Sequence, residues 1–121
     1  MLNDKDYCDY ETSCKLSELG FTLDMTEKVY ERNLFTNRYE TIPKPLLYEA
    51  QKFLREEKGF DFEITILNKY RHYNAEIRWN THWMILDKYV PNGIIHTETY
   101  EEALNTCINV AIQILKENEH D

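Results

Sequence analysis

Basic and aromatic side chains alternate between positions 69 and 83, a pattern suited to recognising a ligand. The residues that carry it are Lys69, Arg71, His72, Arg78, Trp79, His82 and Trp83. Surfaces that stack nucleic-acid bases or anchor a protein partner combine these residue types. The pattern therefore predicts a binding surface. A second interpretation is that Tyr73 and Trp79 fill the core and leave Arg78 on a solvated face.

The four histidines of the chain, His72, His82, His96 and His120, raise the question of a metal site. Zinc ligands usually stand at short spacings, such as i and i+4 on a helix or the C-x-x-C pair. No two histidines of this sequence have such a spacing. The sequence therefore predicts no metal site, and it places His120 in the tail and the other three side chains at the ends of strands.

The sequence gives little sign of a catalytic nucleophile or of a phosphate-binding loop. Cys8, Cys14 and Cys107 are an odd number without paired spacing, which favours free thiols in a reducing cytoplasm. Cys107 lies on an apolar helix stripe, where core packing is the expected role. The three glycines are isolated, and the adjacent carboxylates Glu101 and Glu102 are typical of a solvated helix. We therefore expect a protein that is not an enzyme and uses no cofactor.

The net charge of −8 is spread unevenly along the 121 residues. Residues 1–43 carry −4, residues 44–88 carry +1 and residues 89–121 carry −5. An acidic protein repels nucleic acid unless its basic residues gather in one patch. The middle segment is the only place for such a patch, so nucleic acid is a possible partner that the net charge disfavours.

The composition is that of a soluble domain, with 42% hydrophobic and 30% charged residues. No apolar run approaches the roughly 20 residues that span a bilayer. The first ten residues also lack the positive end and apolar centre of a signal peptide. We therefore expect a cytoplasmic protein without membrane contact.

Two helices are predicted in the central and C-terminal parts of the chain. Residues 99–116 begin with Thr99 and Glu102 at the spacing of a capping box, and apolar residues then recur at steps of three and four. An earlier helix begins at the proline pair of positions 43 and 45 and ends at Gly59.

Three strands are predicted between these helices. Apolar and polar residues alternate over residues 60–67 and 73–79, and an apolar run predicts a third strand at residues 83–89. The predicted fold class is α+β. It is a two-layer sandwich in which a three-stranded antiparallel sheet carries two helices on one face, in the order α-β-β-β-α.

The first 42 residues are predicted to add a short helix and an extended arm. The helix covers residues 10–20, with Asp9 as its N-cap and Gly20 at its end. The arm follows, with one irregular strand near residues 28–32. Its predicted anchors are Tyr30, Phe35 and Tyr39. The predicted division is therefore 1–42 for the helix and arm packing on the core, 43–117 for the core and 118–121 for a frayed tail.

The order of predicted elements over residues 43–116 resembles the double-stranded RNA-binding domain and the related HicB-type antitoxins. That family holds phosphates with lysines at the start of its second helix. This chain has Glu101 and Glu102 there, and carboxylates exclude phosphate from a helix N-terminus. Its basic turn at Lys69 and Arg71 partly matches the family's minor-groove loop. The resemblance therefore implies a fold more than an activity.

Three segments resemble small proteins encoded by phages and prophages of Bacteroidetes. They read YETSCKLSELGF, LLYEAQKFLREEKGF and TYEEALNTCINVAIQILK. The matching residues are Gly20, Phe21, Ala50, Phe53, Leu54, Arg55, Glu56 and residues 100–103. Most of these residues have packing roles, so the resemblance implies a mobile-element origin without an activity.

These observations predict a non-enzymatic accessory protein of a phage or mobile element that acts by protein–protein contact or self-association. The alternative is a nucleic-acid-binding module that uses the surface of residues 69–83. A weaker alternative is an acidic DNA mimic or inhibitor, since the acidic residues concentrate in both terminal segments.

Overall fold

The structure is a computed structural model that describes residues 3–33, 39–67 and 72–119. The chain divides into two compact units, Met1–Ala50 and Gln51–Asp121, called here the first and second units. Over the described residues the fold is α+β, with three α-helices and two antiparallel sheets of two and four strands. The predicted class is therefore confirmed.

The first unit contains the helix α1 and a two-stranded sheet. The α1 helix spans Tyr10–Glu18, and the Asp9 carboxylate caps it by accepting the Thr12 N–H at 2.8 Å. The strands β1 (Val29–Asn33) and β2 (Tyr39–Pro43) pair antiparallel. The helix and the strand near residue 30 are confirmed, whereas the predicted extended arm is wrong for residues 39–42 because they belong to β2 and pair with β1.

Of the three predicted anchors, the structure describes the side chain of Tyr30. The Tyr30 hydroxyl donates to the Cys8 carbonyl at 3.0 Å, and its ring meets the edge of Tyr10 at 5.5 Å between centroids. Phe35 and the side chain of Tyr39 lie outside the described part of the chain. Tyr30 therefore ties β1 to the residues that precede α1.

The helix α2 spans Leu47–Lys58 and crosses the boundary between the units. Pro43 ends β2, so the helix begins four residues later than its proline signal predicted. Gly59 follows with φ of +80°, a backbone conformation that suits glycine and ends the helix.

The sheet of the second unit is built on β3 (Phe60–Ile66) and β4 (Tyr73–Trp79), which pair along their full length. Both strands confirm the alternating pattern. Two short strands, β5 (His82–Trp83) and β6 (Ile95–Thr97), share the other edge of β4. The sheet therefore has four strands, with a break between β5 and β6.

The third strand predicted at residues 83–89 is wrong beyond Trp83. The Met84 N–H still donates to the Ile77 carbonyl at 2.9 Å, and the chain then leaves the sheet. Leu86 turns into the core and is 5% exposed, and its carbonyl accepts the N–H groups of Tyr89 and Val90. Apolar and polar residues do not alternate strictly in this run, as they do in a half-buried strand. A loop, instead of a strand, therefore carries Leu86 into the core.

The helix α3 (Tyr100–Asn118) packs against β3, β4 and β6 and confirms the predicted C-terminal helix. The Thr99 hydroxyl accepts the Glu102 N–H at 3.1 Å, which is one half of the predicted capping box. The apolar stripe of α3 is buried over the sheet face that carries Ala75 and Ile77. The helix therefore covers one face, called here the inner face.

The turn between β4 and β5 is tighter than the sequence indicated. Its two central residues, Asn80 and Thr81, both have positive φ, at 51° and 71°. Positive φ at both positions is typical of the type I′ turn, which favours Asn-Gly. Thr81 has a branched Cβ in the left-handed region, which strains the backbone.

Replacing Thr81 by glycine should therefore stabilise the protein. We expect the free energy of unfolding to rise by about 0.5–1 kcal/mol, since relief of strain exceeds the added entropy of the unfolded chain. Urea denaturation measures the change. Thr65→Gly on the exposed side of β3 is the control and should destabilise, because strand backbone there has ordinary geometry. A loss of stability in Thr81→Gly would contradict the described turn.

Candidate binding surface

The sheet face opposite α3, called here the outer face, carries the candidate site. Side chains alternate between faces along each strand, and the register places those of the outer face side by side. Arg78 stands between Asp61 on β3 and Trp83 on β5. Glu76 stands opposite Glu63 on the same face. Charged groups and one tryptophan therefore share a single surface.

The structure divides the predicted binding residues between the two faces. Arg78 and Trp83 lie on the outer face, whereas Trp79 and His82 pair on the inner side of the same hairpin. His72 lies at the start of β4 beside His96 of β6. Lys69 and Arg71 lie outside the described residues, as does His120.

Trp79 packs against the core of the second unit. Its ring is parallel to that of Phe60, at 3° and 5.3 Å between centroids. Its indole N–H donates to the Lys58 carbonyl at 3.0 Å, which satisfies one of the free carbonyls at the end of α2. Tyr73 lies on the same face with its ring edge against Tyr100 of α3. Both aromatic side chains are therefore half-buried on the inner face.

Trp83 is the aromatic side chain that the outer face presents to solvent. It is 53% exposed, and the Arg78 guanidinium lies over its ring at 5.1 Å. A cation over an aromatic face is held by the ring quadrupole, which fixes both side chains. The Arg78 guanidinium therefore already has an interaction partner within the protein, the ring of Trp83.

The break between β5 and β6 opens a cleft of about 440 Å³. Trp83, Met84, Leu86 and Ile94 contribute apolar walls, and Glu76 contributes a carboxylate. Ile94 is 55% exposed, and the neighbouring Ile85 is 80% exposed. Such apolar surface beside an open cleft is typical of contact sites.

The loop that forms the cleft wall is tied to the end of α3. The Tyr89 hydroxyl and the Lys88 ammonium both donate to the Glu117 carboxylate, at 2.7 and 3.0 Å. The bond from Tyr89 lowers the pKa of Glu117, while burial raises the pKa of Tyr89 to about 12. Gly93 stands so close to the Asp87 side chain that a Cβ would collide with it. The two bonds to Glu117 therefore connect this loop to the end of α3.

Acidic side chains outnumber basic ones on the described part of the outer face. Asp61, Glu63 and Glu76 belong to it, and Arg78 opposes them. Glu63 and Glu76 are exposed. A negative face repels phosphates and attracts basic groups.

A second cluster of aromatic and basic side chains, which no sequence pattern predicted, lies in the first unit. The Tyr7 ring has the Lys28 and Lys44 ammonium groups 4.8 and 5.0 Å from its centre. The carboxylate residues Glu27 and Glu49 line the same small hollow. Opposite charges are thus mixed at this cluster.

The two buried cysteines lack the environment of a nucleophile. Burial raises the pKa of Cys107 to about 12. Burial, with the carboxylates of Asp9 and Glu49, raises the pKa of Cys8 to about 12. Both thiols therefore stay protonated near neutral pH, whereas nucleophilic attack needs the thiolate.

His72 and His96 form a pair that the sequence spacing did not predict. His72 Nδ1 lies 3.0 Å from His96 Nε2, and His96 Nδ1 lies 2.9 Å from Asn74 Oδ1. The two histidines are 24 positions apart, and only the pairing of β4 with β6 brings them together. Among the described residues, no three or more side chains of metal-binding type cluster.

In the described ranges, every helix is too short or too polar to cross a membrane. The chain matches no family model, no curated protein and no solved structure.

Proposed function

We propose that this protein is a non-enzymatic accessory protein of a phage or mobile element, acting in the cytoplasm by protein–protein contact through the outer face. The resemblance of three sequence segments to phage and prophage proteins supports the origin. The composition, with 42% hydrophobic and 30% charged residues, supports the proposed cytoplasmic location. The observation that carries the mode of action is the apolar cleft beside Trp83, Ile85 and Ile94, set in an acidic sheet face.

The chemistry of this surface indicates what kind of partner fits it. Interfaces rely on a few aromatic or aliphatic anchors in desolvated pockets, surrounded by a polar rim. Here the cleft receives an apolar side chain of the partner, and Trp83 covers it. Glu63 and Glu76 provide a negative rim that attracts basic residues and speeds association.

The same charges argue against pairing of two copies face to face. A second copy would bring its own Glu63 and Glu76 against the first, and like charges across an interface are unfavourable. We therefore propose a different protein, with a basic surface around an apolar anchor, as the partner.

We also propose that the order α2, β3, β4, third strand and α3 is a variation on the double-stranded RNA-binding arrangement. In this variation β5 and β6 together take the third position, and α2 and α3 lie on one face. The burial of Phe53 and Leu54 on α2 and the bond from Trp79 to the Lys58 carbonyl support it.

Site-specific cross-linking tests the proposed function. A photoreactive amino acid is placed at position 85, in the exposed loop after β5, and at exposed Gln113 on α3 as the matched control. The protein is exposed to host lysate, and the adducts are sized and identified. We expect one basic protein to cross-link from position 85 and not from position 113. Adducts of equal yield from both positions, or none from position 85, would remove the proposal.

Nucleic-acid binding is the second candidate, and one observation favours it. Arg78 and Trp83 form a cation–aromatic pair on an open surface, as in proteins that stack bases. A mobility-shift titration at low salt with single- and double-stranded RNA and DNA decides between the two. A shift that Arg78→Ala and Arg71→Ala abolish would support this candidate over the protein partner.

A further inference from the structure

The hydrogen bonds around His96 favour one pair of tautomers for the two histidines. Asn74 Oδ1 is an acceptor, so His96 Nδ1 must carry the proton of the 2.9 Å bond. In neutral His96 the other ring nitrogen, Nε2, then has a free lone pair. His72 Nδ1, 3.0 Å away, must therefore donate to it. The pair presents two nitrogen atoms that share one proton.

We propose that His72 and His96 form a binding site for a divalent transition-metal ion of the Zn²⁺ class. The ion would bind His72 Nδ1 and His96 Nε2, and the proton of His72 Nδ1 would move to Nε2 of the same ring, so that both imidazoles stay neutral. Neutral imidazole nitrogens are the usual ligands of such ions. Water, or a side chain of a partner, would complete the coordination, as in sites that keep open positions.

The distance between the two nitrogens suits chelation. Two nitrogens that each lie about 2.0–2.1 Å from one ion are about 2.8–3.4 Å apart for bond angles between octahedral and tetrahedral. The observed separation of 3.0 Å lies within this range. Because the two nitrogens face each other in the hydrogen bond, both rings would turn to direct their lone pairs toward one ion.

Asn74 has the position of a supporting residue. Metal-bound histidines usually donate their second ring N–H to an oxygen, which sets the tautomer and the orientation of the ring. The bond from His96 Nδ1 to Asn74 Oδ1 already has this form. Asn74 and His96 also line an open hollow of about 440 Å³ with Pro91, Asn92 and Ile94, which leaves room for a hydrated ion.

Calorimetric titration of the full chain with ZnCl₂ tests the site. We expect saturable binding of one ion per chain. Either His72→Ala or His96→Ala should weaken binding by at least about tenfold, and Asn74→Ala should weaken it by a smaller factor. His82→Ala, which removes an exposed histidine from β5 of the same sheet, is the matched control and should leave the affinity unchanged. Circular dichroism confirms that each variant is folded.

A second readout follows the imidazole nitrogens by NMR. Zn²⁺ should shift His72 Nδ1 and His96 Nε2 and leave the ring of His82 unchanged. NiCl₂ and CuCl₂ in place of ZnCl₂ should preserve the dependence on both histidines, with Cu²⁺ binding most tightly. Absence of saturable binding, or an equal loss of affinity in His82→Ala, would overturn the proposal.

Discussion

Replacing Phe60 by alanine should lower the free energy of unfolding by about 3–5 kcal/mol. The Phe60 side chain is 1% exposed and its ring stacks on that of Trp79. Alanine removes apolar surface from the core and leaves a cavity beside an indole that loses its stacking partner. Trp79 also donates a hydrogen bond to the Lys58 carbonyl at the end of α2. Loss of the Phe60 ring therefore also weakens the connection between β4 and α2.

Urea denaturation followed by tryptophan fluorescence measures this change, because both tryptophans belong to the second unit. Ile85→Ala is the control, since a side chain that is 80% exposed should alter stability by at most about 0.5 kcal/mol. Equal losses in the two variants would contradict the described core.

Replacing Trp83 by alanine should have the largest effect on partner binding. Truncating a central aromatic anchor typically costs 2 kcal/mol or more, which is about 30-fold in Kd. Trp83 meets the conditions for such an anchor, because it is held by Arg78, lines the cleft and is 53% exposed. Stability should change by less than about 1 kcal/mol, since the ring lies outside the core.

The affinity of the cross-linked partner, measured by surface plasmon resonance, tests this prediction. Trp83→Phe should retain much of the binding because it keeps an aromatic ring over the cleft. Tyr48→Ala removes an exposed aromatic side chain from the first unit and should have no effect. If Trp83→Ala binds as tightly as the wild type, the proposed anchor is wrong.

Elements with a strong local signal could be predicted from the sequence. The α3 helix has both a capping residue at Thr99 and a continuous apolar stripe, and β3 and β4 alternate strictly. Local signals of this kind agree with the tertiary structure. The predicted bounds of α3, β3 and β4 are therefore close to the observed ones. The strand β2 and the short strand β6 lacked such a signal, because their pairing depends on register with distant residues.

The candidate site was harder to predict because nearness in sequence is not nearness on a sheet. Arg78 and Trp79 are adjacent in the chain, yet the period of two places them on opposite faces. Trp83 returns to the face of Arg78 only because the turn at Asn80 and Thr81 has two residues. For the same reason His96 reaches Asn74 through the register of β6 with β4, which no local spacing reveals.

Contact of the outer face with a basic partner protein, as proposed above, is tested most directly by a paired charge reversal. Glu63→Lys with Glu76→Lys reverses the rim of the outer face, and Glu56→Lys with Glu57→Lys reverses two exposed carboxylates of α2. We expect the first pair to weaken partner binding at least about tenfold, mainly through slower association, and the second to change it little. Equal effects of the two pairs, or unchanged affinity after reversal of the rim, would contradict the proposed surface.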